Sequence, residues 1–136
     1  MAATETVLHR WFEEVWNQGQ EEAIDELLAP DAVVHGLGPE EIRGPSAFKP
    51  LYRNFRTAFP DMRFTLERAM VDGDMVAVCC EVTATHSGDG FLDAPTHKPV
   101  RLHGMCMARV KDGKIAEGWN NFDFLTLYQQ LGMKLT

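Results

Sequence analysis

The sequence predicts a single α+β domain over residues 1–136, in which a strongly bent, mainly antiparallel sheet wraps around N-terminal helices as a cone. The first observation is the order of the segments, because helix-like periodicity comes first and a meander of strand-like segments follows. The second is the length of those strands, which exceeds the usual length of about five or six residues. Strands of this length bend, and a bent sheet can enclose a pocket. The third is the chain length of 136 residues, which fits one domain.

Three helices are predicted before the long strands begin. Residues 4–17 place apolar side chains at helical spacing, with Thr4 as the N-terminal cap. Residues 21–28 form a second, short helix, which Pro30 stops. Residues 45–59 form the third helix, with aromatic side chains along one stripe. Each helix therefore has an apolar face that can pack against a sheet.

A short strand is predicted over residues 32–36, between the second and third helices. It leads into a loop over residues 36–44 that is rich in glycine and proline. Because binding residues are concentrated on loops that a rigid scaffold holds, this loop is a candidate part of a binding site.

The second half of the chain is a meander of long strands. Asp72-Gly73 and Asp112-Gly113 are hairpin-turn signals between apolar segments. A Gly- and Pro-rich loop over residues 87–99 divides the meander into two hairpins. The predicted strands are residues 62–71, 75–86, 100–110 and 114–121, and a closing helix covers residues 122–131.

Composition and charge exclude several classes of partner. Twenty acidic residues against 13 basic ones give a net charge of -7, which would repel nucleic acid and anionic membrane surfaces. No apolar run approaches the roughly 20 residues of a membrane helix. The N-terminal residues lack the basic and apolar regions of a secretory signal. We therefore expect a cytoplasmic protein with neither nucleic acid nor membrane as a partner.

The strongest motif lies near the C-terminus. The run from Asp112 to Trp119, followed by Asp123 and by Gln130-Leu131-Gly132, resembles the C-terminal signature of SnoaL-like polyketide cyclases, a family of the nuclear transport factor 2-like superfamily. The resemblance extends over nearly the whole chain and implies the cone fold. Further matching segments are residues 15–19, 28–32, 59–61 and 85–88.

The resemblance implies that Asp123 is the catalytic acid–base residue. An intramolecular aldol closure needs one proton removed from carbon and one delivered to a carbonyl oxygen, and a carboxyl group with a raised pKa in an apolar pocket can exchange both. Neither an organic cofactor nor a metal is needed, and the histidines show no metal-ligand spacing. The alternative is that Asp123 caps the closing helix, in which case its pKa should be lowered.

Three histidines are further candidates. His35 and His86 lie at strand ends beside loops and could polarise a substrate, and the resemblance places His86 in a Thr-His-x-Gly element that anchors a loop or lines the pocket. His103 lies on a strand with one apolar and one mixed face, so it lines the pocket or meets a partner subunit. The alternative for each is a structural role.

Several other residues are predicted to contact the substrate. Trp119 and Asn121 alternate in phase with Asp123, so they should share a strand face with it. Aromatic residues would form the walls, although a helical aromatic stripe also suits a plain core. The predicted wall residues are Phe12, Trp16, Phe48, Leu51, Tyr52, Phe55 and Phe91, with Phe91 in the Gly-rich loop as a lid.

These residues favour an acid–base enzyme acting on a small apolar, oxygenated substrate in an enclosed pocket. A ketosteroid-isomerase-type enzyme is disfavoured, because rough alignment puts Gly36 and Phe12 where that family has its aspartate and tyrosine. An epoxide hydrolase would use Arg101 with Asp123. A non-catalytic binding or assembly module of the same fold stays open. The chain departs from the cyclases in its loop over residues 92–97, which bears on substrate identity, and the family's cones commonly form homodimers through the sheet.

Overall fold

The computed structural model describes residues 6–91 and 94–134. Helix α1 consists of an α-helical turn, Val7–Arg10, and a π-helical segment, Trp11–Asn17. The remaining helices are α2 (Glu22–Leu27), α3 (Gly44–Ala58) and α4 (Phe124–Gln130). The strands are β1 (Leu28–His35), β2 (Ile42–Arg43), β3 (Arg63–Asp72), β4 (Met75–Thr85), β5 (Pro99–Lys111) and β6 (Lys114–Phe122).

The six strands form one sheet in the order β2-β1-β6-β5-β4-β3. Every neighbouring pair is antiparallel except β1 and β6, which run parallel. The predicted α+β class with a mainly antiparallel sheet is therefore confirmed. The first strand is longer than predicted and begins at Leu28, because Leu28 pairs with Ile115 of β6. The loop over residues 36–44 contains β2, which pairs with β1.

A β-bulge at Ala116 divides β6 into two phases. Val110 of β5 pairs with Ile115, whereas Arg109 pairs with Glu117, so Ala116 has no opposing residue. Side chains alternate between the two faces of a strand, and one extra residue therefore reverses the alternation. Ile115 points to the inner face, and beyond the bulge the even-numbered residues do so.

The helices pack on the inner face of the sheet and form one apolar core with it. Asn17 joins α1 to β3, because its side-chain amide donates to the carbonyl of Phe64 at 2.9 Å and accepts from the Phe64 N–H at 2.7 Å. Tyr52 joins α3 to α1, since its hydroxyl donates to the carbonyl of Val15 at 2.8 Å. The Asn17 bonds therefore hold α1 against the sheet, and the Tyr52 bond holds the two helices together.

The N-terminus of α1 is capped by Thr6, whose hydroxyl accepts from the N–H of His9 while the His9 ring accepts from the Thr6 N–H. The predicted cap, Thr4, lies outside the described residues. No helix within residues 6–91 and 94–134 has the length and apolar character needed to cross a membrane.

Candidate functional site

A cavity of about 100 Å³ lies between the helices and the inner face of the sheet. Helices α1 and α3 supply an aromatic wall, and β4, β5 and β6 supply smaller apolar residues opposite. The sequence favours this arrangement because each inner strand position is apolar in β4 and β5. Lining residues include Trp11, Phe12, Trp16, Phe48, Phe55, Phe59, Phe64, Val82, Ala84, Leu102, Cys106, Ala108, Ile115 and Phe122.

One polar side chain, Asn120, interrupts this apolar wall. It lies on β6 between Gly118 and Phe122, which also line the cavity. Its Nδ2 donates to the backbone carbonyl of His35 at 3.0 Å. Asn120 is the only amide or hydroxyl side chain among the described lining residues. A single polar group in an apolar cavity can set the orientation of a ligand.

The close contact between β1 and β6 holds Asn120 in place. Gly36 follows β1 with a φ of +91°, and a Cβ on this residue would lie 1.9 Å from the backbone oxygen of Asn120. Only glycine permits both this conformation and this approach. The end of β1, and with it the His35 carbonyl, therefore lies directly against Asn120.

Four of the predicted site residues lie on the opposite face of the sheet. Trp119, Asn121 and Asp123 follow the odd-numbered phase of β6 beyond the bulge, and His103 is on the same outer face of β5. They share a face, as predicted, but it is the outer one. For Trp119, Asn121 and Asp123, the expected position inside the cavity was wrong because the bulge at Ala116 reverses the phase. For His103, the pocket alternative is excluded, and contact with a partner subunit stays a prediction.

Asp123 is exposed and caps α4. Its Oδ1 accepts from the N–H of Thr126 at 3.0 Å, and its Oδ2 accepts from the Thr126 hydroxyl at 2.6 Å. The hydrogen bonds from Thr126 lower the pKa of Asp123. The expectation of a raised pKa in a dry pocket is thus corrected, since a solvated carboxylate that accepts two hydrogen bonds is stabilised as the anion.

The cap predicts a difference between two substitutions of Asp123. Asp123→Ala should lower the melting temperature by about 2–8 °C, because it leaves the Thr126 N–H without its acceptor. Asp123→Asn should leave it nearly unchanged, since asparagine caps helices as well as aspartate does. Calorimetry of the two variants tests this, and equal melting temperatures would contradict the capping role.

Asp123, His103 and Asn121 line a depression of about 470 Å³ on the outer face. The Nε2 of His103 lies 3.7 Å from a carboxylate oxygen of Glu67 and 3.6 Å from one of Glu81. Each of these three side chains has one atom that could bind a metal ion, and these three atoms lie within 4.8 Å of one another. Because Glu67 and His103 are exposed, this arrangement is a solvated cluster of ionisable side chains rather than a dry site.

His35 lies outside the cavity, on the outer side of β1. Its Nε2 is 2.7 Å from a carboxylate oxygen of Glu117, and its ring stacks on Trp119 with 5.7 Å between the ring centres. The hydrogen bond from His35 lowers the pKa of Glu117. His35 therefore reaches the cavity wall through its backbone carbonyl, which Asn120 contacts, and not through its ring.

His86 is fully buried behind Phe59 and anchors the loop that follows β4. Its Nδ1 accepts from the N–H of Thr96 at 3.1 Å, which places the proton of the neutral ring on Nε2. This Nε2 is buried without a hydrogen-bond partner among the described residues. Burial lowers the pKa of His86, because the charged ring would lose its hydration.

A pH dependence of stability follows for His86. Its pKa is lower in the folded protein than the ordinary value of about 6.5, so the unfolded chain binds more protons below that pH. The free energy of unfolding should therefore be highest above about pH 6.5 and fall as the pH drops below it. The free energy of unfolding, measured with urea at about pH 5 and at about pH 8, should differ less between the two pH values in His86→Gln than in the parent protein. An equal change in both proteins would contradict this.

Five of the seven predicted wall residues line the cavity, namely Phe12, Trp16, Phe48, Leu51 and Phe55. Tyr52 is buried beside Trp16 and holds α3 to α1. Phe91 stacks on Tyr128 of α4 with 5.7 Å between the ring centres and also contacts Phe59. Neither Tyr52 nor Phe91 lines the cavity.

The sequence interpretation missed Asn120 as the polar group of the wall. It lies between the two residues that were selected, Trp119 and Asn121, and has the opposite phase. The available signal was that Gly118, Asn120 and Phe122 alternate with those residues, but the bulge that directs them inward is not visible in the sequence.

Comparisons with known proteins agree with this fold. The family model of SnoaL-like polyketide cyclases matches residues 6–131. IdmH from Streptomyces antibioticus, described as a candidate polyketide cyclase, is 32% identical, with 93% of this chain and 96% of IdmH covered and a TM-score of 0.80. AclR from Streptomyces galilaeus, described as a candidate hydroxylase, is 29% identical, with 90% of this chain and 80% of AclR covered and a TM-score of 0.78.

A protein from Catenulispora acidiphila with a ketosteroid isomerase-like fold is 16% identical, with 96% of this chain and 95% of that protein covered and a TM-score of 0.79. At that identity the likeness concerns the fold alone. No curated protein gives a match. The family model covers nearly all of the chain and agrees with the C-terminal signature, so the chain belongs to the SnoaL-like polyketide cyclase family.

Proposed function

We propose that the protein binds a small, largely apolar, oxygen-bearing molecule in the central cavity and promotes its aldol-type cyclisation there. The observation that carries the proposal is the largely apolar cavity wall, in which Asn120 supplies the only amide or hydroxyl side chain among the described lining residues. Apolar walls bind the carbon skeleton, and one polar group orients an oxygen. Family membership supports the reaction class.

The cavity favours neutral ligands. Its described lining residues include no carboxylate, imidazole, amine or phenol. The thiol of Cys106 stays protonated, because its hydrogen bond with Cys80 and its burial both raise its pKa. A charged ligand would lose its hydration without gaining a partner, which is costly in an apolar site. At about 100 Å³, the space fits a molecule no larger than a small aromatic ring unless the walls move.

An aldol-type closure suits such a site because it needs no cofactor. One carbon–carbon bond forms, and one proton moves from the carbon beside one carbonyl to the oxygen of the other. Holding the two ends of the ligand together in a dry cavity supports this reaction by orientation. The family resemblance still nominates Asp123 as the acid–base residue, but its exposed position outside the cavity argues against that role.

Binding without turnover is the second candidate function. The specific observation in its favour is the lack of an acid–base side chain among the described lining residues. A protein of this kind would hold its ligand and release it unchanged.

A short linear diketone that can close into a six-membered ring separates the candidates. The enzyme should form the cyclic product faster than buffer alone, as measured by chromatography of the reaction mixture. If Asp123 is the acid–base residue, Asp123→Asn should lower turnover by about a hundred- to ten-thousandfold while keeping the helix cap. If Asp123 only caps α4, the variant should keep full turnover. Saturable binding of the diketone without any product would support the second candidate function, binding without turnover.

We also propose a homodimer that forms through the outer face of the sheet. Four side chains lie in one row across this face, because Met70 pairs with Ala77, Ala77 with Met107, and Met107 with Trp119. Met70 is 73% exposed and Met107 is 45% exposed. Contiguous exposed apolar residues of this kind mark interaction surfaces.

The dimer predicts a change of mass in a variant of Met107. Met107→Glu should convert a dimer into a monomer in light scattering, because it places a charge in the apolar row. Met133→Glu is the matched control, since Met133 is also 45% exposed but lies beyond α4. A monomeric parent protein, or a Met107→Glu variant that stays dimeric, would contradict the proposal.

A cytoplasmic location is proposed as well. Its support is that Cys79, Cys80 and Cys106 are free thiols, as expected in a reducing compartment. Thiol titration of protein isolated without reductant should count three thiols, and a lower count would contradict this location.

A further inference from the structure

We infer that the ligand of the central cavity presents a hydroxyl or enol O–H group to the side-chain oxygen of Asn120. This inference rests on the proposed function, in which the cavity holds the ligand, and it adds the chemical class of the group that Asn120 recognises.

The first step is the orientation of the Asn120 amide. The atom that faces the His35 carbonyl lies 3.0 Å from it, and a carbonyl oxygen can only accept a hydrogen bond. The NH₂ group must therefore face His35, and Oδ1 must face away from it. The Gly36 contact with the Asn120 backbone keeps both partners in register, so the amide cannot turn without breaking this bond.

The second step is that Oδ1 is left without a protein donor. Asn120 is half-buried and lines the cavity. No N–H or O–H group of the described residues donates to its Oδ1. The residue opposite Asn120 on the neighbouring strand is Cys106. Its thiol instead bonds to Cys80, whose own Sγ donates to the carbonyl of Gly104 at 3.7 Å.

The third step is the selectivity that a lone acceptor produces. A ligand O–H that meets Oδ1 forms a hydrogen bond, whereas a ligand carbonyl would place two acceptors against each other. The wall therefore favours the enol form of a ketone over the keto form. This is also the form whose neighbouring carbon is the nucleophile of an aldol closure, since tautomerisation moves a proton from that carbon to the oxygen.

Phenol and toluene test the inference, because they have nearly the same shape and differ by one O–H group. Dissociation constants of both are measured by NMR titration of the parent protein, Asn120→Leu and Asn121→Leu. The dissociation constant of toluene divided by that of phenol should fall by about three- to tenfold in Asn120→Leu, because phenol loses one hydrogen bond and toluene loses none. Asn121→Leu makes the same change on the outer face and should leave the ratio unchanged.

Each remaining outcome has a distinct meaning. If both probes bind but Asn120→Leu does not change the ratio, the inference is overturned and cavity binding stands. If neither probe binds the parent protein, the proposed function fails with it. Should Asn120→Leu not fold, the side-chain carbonyl-carbon shift of Asn120 in the parent protein replaces it. That shift should move with phenol and not with toluene, and equal movement would overturn the inference.

Discussion

Ala108→Leu is expected to remove ligand binding from the cavity. Ala108 is 1% exposed, lies on the inner face of β5 and lines the cavity opposite the aromatic wall. The three added carbons would occupy much of the 100 Å³ that a ligand needs. Affinity for phenol or toluene should fall about a hundredfold or more, which corresponds to about 2.8 kcal/mol.

The protein should tolerate this change. Inserting carbons into a packed core usually costs about 1–3 kcal/mol, but here an existing cavity takes them up. Ala77→Leu is the matched control, because Ala77 lies on the outer face of the neighbouring strand β4. It adds the same carbons outside the cavity and should leave binding unchanged. Unaltered affinity in a folded Ala108→Leu protein would show that the ligand binds elsewhere.

Gly36→Ala is expected to be among the most damaging single substitutions in the described chain. Its φ of +91° is unfavourable for any residue with a side chain, at a cost of about 1–2 kcal/mol. In addition, the new Cβ would lie 1.9 Å from the Asn120 backbone oxygen, so β1 and β6 must separate. The sum of strain and overlap should lower the free energy of unfolding by about 2–5 kcal/mol.

The effect should reach the cavity as well as the stability. Separating the strands moves the His35 carbonyl away from Asn120, so the preference for phenol over toluene should also fall. Gly38→Ala is the control, since no atom lies within 4 Å of its Cβ position and its φ is not in the left-handed region. It should be neutral or stabilise slightly. Chemical denaturation of both variants measures the difference, and similar unfolding free energies would refute the close-contact argument.

Most of the fold was predictable because it depends on patterns that the sequence states directly. The alternating apolar residues of β4 and β5 gave their strands to within a residue or two, and Asp72-Gly73 gave the hairpin. The signature near the C-terminus identified the family. These features are local, so each could be recognised without knowing what packs against it.

The inner and outer faces of β6 were not predictable in the same way. Ile115 suggests an inner phase of odd-numbered residues, and that phase would carry Trp119, Asn121 and Asp123 into the cavity. The bulge at Ala116 depends on how β5 and β6 pair, which is a tertiary property. Asp123 could be recognised as a helix cap, but its distance from the cavity could not be derived from spacing.

The bulge has an evolutionary consequence. Beyond the bulge, Gly118, Asn120 and Phe122 face the cavity, whereas Trp119, Asn121 and Asp123 face outward. Deleting Ala116 would leave Val110 opposite Ile115 and Arg109 opposite Glu117, so every other side chain of β6 would keep its face. Lineages of this gene could therefore lose or retain the codon for Ala116 without changing which residues line the cavity.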